Sequence, residues 1–257
     1  MMKKFYYKNE LWFSIMWIIA YCVFASIGDN VSDALGISKV ITLPILFVLS
    51  LILFLFIKQN NLTEKYGFCK TDVAASKMLF YIPVIILLTA NMWHGFRVNM
   101  SPLESILYIL SMFCVGFLEE LIFRGLLFNA MLKNGKNSAI IVSSITFGVG
   151  HIINLINGSG AELLPNLLQV VYAIAVGFMF VMIYYRTNSL IPCIITHGVF
   201  NALSAFANEA DLTSKEQILS CVLITSISGG YALYIALSKR VCLRDDSVHI
   251  LKSRERQ

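Results

Sequence analysis

The stretch Phe117-Leu-Glu-Glu-Leu-Ile-Phe-Arg-Gly125 constrains the fold of this chain more than any other. It sets two carboxylates and a guanidinium inside a long apolar run, residues 106–132. A charged side chain at bilayer depth costs roughly 2.5–3.5 kcal/mol on insertion scales. A helix facing lipid gains nothing that offsets three such groups. It must turn this face toward protein or water, and ionisable groups kept at such depth are a functional-site signal.

The rest of the chain makes that depth real. Of 257 residues, 58% are hydrophobic and 14% charged, with a mean hydropathy of +0.74; soluble domains run near a quarter charged. A bilayer core of about 30 Å needs roughly 20 apolar residues per helix. Eight stretches qualify: 11–28, 40–57, 78–96, 106–132, 138–157, 163–185, 190–208 and 217–238, the first two short and the fourth long enough to tilt or break. No linker, low-complexity tract or repeat divides them. The expected architecture is an all-α polytopic membrane bundle of about eight transmembrane helices, a single domain over 1–257. The start, Met-Met-Lys-Lys and then an apolar run to Gly28, resembles a signal peptide. The run is long for one and lacks a small-x-small cleavage site, so an uncleaved first membrane helix is expected.

Loop charges supply an orientation. With the N-terminus in the cytoplasm, sixteen of the 20 basic residues fall on the inner side and three on the outer, Arg124 being the last. This asymmetry predicts a multi-pass integral protein with both termini cytoplasmic, in the plasma membrane if the cell is bacterial. The net charge of +5 is then loop charge facing an anionic leaflet. The lipid bilayer is the partner it implies, and no nucleic acid is expected. Residues 58–77, polar and Lys-rich, read as a solvated face, and 239–257 as a mixed-charge end. The six cysteines are scattered, without a CxxC pair, and read as small apolar fillers.

Inside the spans the deep ionisable groups are few: Glu119, Glu120, Arg124, His151 and His197. Glu120 and Arg124 stand i,i+4 with the acid N-terminal, the favourable order for an intrahelical pair. Glu119 lies about 100° around the helix from Glu120, so the carboxylates flank one edge. His197 and Asn201 share a face of the seventh span, and Phe147 and His151 repeat that spacing on the fifth. Gly148 and Gly150 beside them allow close backbone approach. Three helices can thus direct polar groups at one cavity.

These three segments resemble the motifs of the CAAX-protease and bacteriocin-processing family (CPBP, also called Abi) of intramembrane endopeptidases. EELIFR, from Glu119 to Arg124, is similar to its EExxxR motif, FGVGH, ending at His151, to its FxxxH, and HGVFN, from His197 to Asn201, to its HxxxN. They occur in the family's order on separate spans, and the likeness covers roughly 106–205, the expected catalytic core. The resemblance implies a catalytic Glu119, with Glu120 and Arg124 completing the first motif. It implies His151 as a helper and His197 with Asn201 as the pair steadying an oxyanion.

Peptide hydrolysis needs an activated water, a site for the oxyanion and a proton donor for the leaving amine. Two adjacent carboxylates cannot both ionise cheaply in a low-dielectric site. Arg124 is expected to hold Glu120 ionised, leaving Glu119 to take a proton from water. The substrate is then a peptide or membrane protein. No cofactor is expected; the competing mechanism is a divalent metal such as zinc on Glu119, His151 and His197. Against it stand the absence of an HExxH helix and the positive charge of Arg124. Two other functions fit the composition: a transporter, which the unsymmetrical prolines disfavour, and a non-catalytic partner such as a bacteriocin self-immunity protein.

Overall fold

The computed structural model describes residues 2–238, apart from 72, 158–159 and 209–211. The tail 239–257, and with it six of the basic residues used above for orientation, lies outside the described residues.

The described chain is helical throughout, with one isolated bridge between Phe96 and Ala207 joining two loops. Helices α1 (Met2–Lys8) and α2 (Glu10–Ala34) meet at Asn9, whose carboxamide accepts from the Trp12 amide at 3.1 Å and caps α2. Then follow α3 (Thr42–Gln59), α4 (Ile82–Leu88) and α5 (Pro102–Glu119), which continues through a π-helix (Glu120–Leu127) into α6 (Phe128–Met131). The bundle is completed by α7 (Lys136–Gly150), α8 (Leu163–Thr187), α9 (Ile191–Leu203) and α10 (Ser214–Leu237).

Local chemistry explains most helix starts. All five prolines, Pro44, Pro83, Pro102, Pro165 and Pro192, fall in first turns, where a missing N–H leaves no bond unmade. Ser101 with Glu104 and Thr213 with Glu216 form capping boxes that begin α5 and α10.

Among the described residues, seven helices are long and apolar enough to cross a membrane, and the protein is a multi-pass, all-α bundle. The remaining expected span, 190–208, is a shorter apolar helix, Ile191–Phe206. The first, expected to be short, is 25 residues long. The third is broken: Leu79, Phe80 and Tyr81 take φ of 50°, 49° and 57°. There the Tyr231 hydroxyl donates to the Met78 carbonyl at 2.6 Å, a backbone acceptor the break exposes.

The loop 58–77 is not the solvated face its lysines suggest. Leu62, Tyr66 and Val73 are buried, and the Tyr6 and Tyr66 hydroxyls lie 2.7 Å apart. Gly67, at φ +72°, lets the loop lie against Tyr184 and the α8–α9 turn, where the Leu190 amide donates to its carbonyl at 2.8 Å. Its apolar residues dock, Lys65 reaches Glu10 and the Tyr6 hydroxyl at 2.8 Å each, and Lys58, Lys70 and Lys77 are exposed.

Glycines set how closely the site-bearing helices approach. A Cβ on Gly116 of α5 would lie 2.6 Å from the Gly198 nitrogen and 2.8 Å from its Cα, so α5 and α9 touch backbone to backbone. Gly148 of α7 meets the Ile174 backbone of α8 in the same way, at 2.6 Å from its nitrogen. Gly150 faces open space. Gly116→Leu is therefore expected to separate α5 from α9 at a cost of about 1–3 kcal/mol or more. Gly150→Ala is expected to leave the melting temperature unchanged. Thermal unfolding of both variants in detergent micelles checks the contrast.

Candidate active site

The glutamate-rich stretch opens a π-helix. The Phe128 amide donates to Phe123, five residues back, the spacing of a π-turn, and neighbouring side chains add bonds to its carbonyls. The Ser143 hydroxyl from α7 donates to the Phe123 carbonyl at 2.8 Å, and the Asn129 amide to the Gly125 carbonyl at 2.6 Å. All eight residues of the segment are buried. π-Helical turns are rare and concentrate at functional sites.

Glu120 and Arg124 are 0% exposed, with Nη1 donating to Oε1 at 2.9 Å. Among the described residues, Arg124 Nε and Nη2 find no hydrogen-bond acceptor. The guanidinium instead lies 4.0 Å from the centroid of the Phe147 ring and 5.4 Å from that of Phe180, so aromatic faces and one carboxylate carry its charge.

His197 joins the two acids. Its Nδ1 lies 2.8 Å from Glu120 Oε1 and its Nε2 3.4 Å from Glu119 Oε2. The carboxylates thus sit on opposite edges of one imidazole, which Phe147 and Phe180 sandwich at centroid distances of 5.7 Å each. The Gly116–Gly198 contact makes this reach possible by bringing α5 and α9 together one turn from the acids.

His151 ends α7, with Nδ1 3.1 Å from the Phe147 carbonyl. A carbonyl only accepts, so this bond assigns the ring hydrogen to Nδ1 and leaves a lone pair on Nε2. The Asn166 amide donates to the His151 carbonyl at 3.0 Å and fixes the turn. His151, His197 and Asn201 together line a cavity otherwise walled mainly by apolar side chains of α4, α7, α8, α9 and α10.

Of the six expected residues, Glu119, Glu120, Arg124 and His197 form one bonded cluster, and His151 and Asn201 share the cavity with His197. Sequence reasoning missed Tyr21 on α2, whose hydroxyl donates to Glu119 Oε1 at 2.7 Å. A tyrosine in an apolar span belongs to no motif, and no spacing ties it to a residue 98 positions away. Both His197 nitrogens face carboxylates, and among the described residues no three His, Cys, Asp or Glu side chains form a group able to hold an ion.

Residues 101–203 match the family model described as "Type II CAAX prenyl endopeptidase Rce1-like". That stretch nearly coincides with the expected 106–205 core. No curated protein and no solved structure matches the chain.

Removing one member of a buried ion pair leaves an uncompensated charge. Arg124→Ala is expected to cost about 3–5 kcal/mol, and the double replacement Glu120→Gln with Arg124→Met to recover most of it. Denaturant unfolding in micelles distinguishes this from a site in which the pair is dispensable.

Proposed function

We propose that this protein is an intramembrane endopeptidase that hydrolyses a peptide bond in a membrane-associated substrate, a reading supported by the match of residues 101–203 to the Rce1-like type II CAAX prenyl endopeptidase model. The observation that carries the reading is His197 held between two carboxylates at the wall of an apolar cavity shared with His151 and Asn201.

Glu119 is the base. Its Oε2 lies on the loosest contact of the cluster, 3.4 Å from His197 Nε2, where a water can enter. The His151 Nε2 lone pair accepts one hydrogen of that water and orients it, while Glu119 takes the other. The water oxygen bonds to the scissile carbon, and the negative charge moves to the carbonyl oxygen. That oxyanion receives hydrogen bonds from the Asn201 amide and from His197 Nε2–H. When the C–N bond breaks, Glu119 returns its proton to the leaving amine. Glu120 and Arg124 take no part in bond making; they hold His197 and the helix in place. No step requires a metal, and the bilayer and a peptide or membrane-protein substrate are the partners. The loop charges support cytoplasmic termini.

Peptidomics of membranes carrying the wild type or Glu119→Gln tests the activity. New peptide termini present only with the wild type are expected, and equal termini with both overturn the assignment. On a peptide so identified, Glu119→Gln is expected to lose about 10²–10⁴ in rate without loss of folded protein. Asn201→Ala is expected to lose about 10²–10³. Exhaustive chelation of the purified protein is expected to leave the wild-type rate unchanged; loss on chelation with recovery on added zinc would replace glutamate catalysis with a metal mechanism.

A further inference from the structure

A carboxylate can act as a base at one oxygen only if something decides which oxygen faces the substrate. In Glu119 that decision is made from outside the family-matched segment. The Tyr21 hydroxyl donates to Oε1 at 2.7 Å. Oε2 is left on the His197 side.

Tyr21 is well placed to hold that bond. It continues the i,i+4 stripe of Phe13 and Trp17, both buried, along the face of α2 that enters the core. The same helix packs against the π-helix that follows Glu119. Its far end is clamped to α3: Asp29 pairs with Lys39 at 2.7 Å and accepts from the Thr42 hydroxyl at 2.6 Å. The ring is fixed by packing, and the hydroxyl is the one group on this helix shown bonded to the reacting carboxylate.

We propose that Tyr21 is a positioning residue for Glu119: its hydroxyl engages Oε1 and turns the carboxylate so that Oε2 meets the water beside His197. The working site therefore extends from the 101–203 segment to the first long helix of the chain. This rests on the assignment of Glu119 as the base.

The test uses the full chain in vesicles of phosphatidylethanolamine and phosphatidylglycerol, with a quenched-fluorescence peptide library as substrate. Tyr21→Phe keeps the ring and removes only the hydroxyl. Its kcat is expected to fall about 10- to 100-fold, as for loss of a hydrogen bond to a charged group, with KM and melting temperature unchanged. Tyr21→4-aminophenylalanine keeps a donor and is expected to restore most of kcat, which a purely structural role would not do. The infrared stretching band of the Glu119 carboxylate, identified by its absence in Glu119→Gln, is expected to shift in Tyr21→Phe, and this reading does not depend on turnover. A Tyr21→Phe enzyme at the wild-type kcat while Glu119→Gln is dead overturns the positioning role alone. So does a lower rate matched by lost folded protein with an unmoved band. A wild type that cleaves no member of the library, or a Glu119→Gln variant that still cleaves, overturns the base assignment and this role with it.

Discussion

A buried charge must be paired or it cannot stay, and the placement of Arg124 follows from that condition. Its guanidinium is sealed from solvent, bonded to Glu120 and laid over the Phe147 ring. Glu120 in turn accepts from His197, and His197 reaches Glu119. Each link satisfies a group that would otherwise be stranded in a low-dielectric interior. Glu119, the proposed base, stands at the end of this chain of obligations and is less buried than its neighbour.

Reaching that arrangement takes two departures from ordinary helix packing. One is the π-helical turn after Glu119, which changes the direction in which successive side chains leave the axis and whose Phe123 and Gly125 carbonyls accept further bonds from Ser143 and Asn129. The other is the contact of Gly116 with Gly198. A side chain at Gly116 would press on the Gly198 backbone and hold α5 and α9 apart, drawing His197 away from the acids. Phe147 then serves three neighbours at once: it faces Arg124, meets the edge of His197 and offers its carbonyl to His151.

Much of the fold was legible because membrane insertion is a severe filter on sequence. Hydropathy located seven of the eight helices and the paired spacing Glu120–Arg124 anticipated their bond. The shorter Ile191–Phe206 and the break at Leu79–Tyr81 were not legible, since an apolar run records burial or lipid contact but not backbone continuity. The docked loop 58–77 was misread for a related reason: its lysines dominate the composition, while three apolar residues among them do the packing.

The sequence alone determined that two carboxylates, a guanidinium and two histidines lie at membrane depth, because nothing but protein partners can offset their cost there. It also identified the three helices that carry them, through i,i+4 spacings that helical geometry makes unavoidable. Only the tertiary structure decided that one imidazole would separate the acids, that aromatic faces would cover the arginine, and that Tyr21 would bind Glu119. Those contacts join residues far apart in the chain. They depend on how closely helices approach and how far each is turned, and no periodicity within a single helix encodes either.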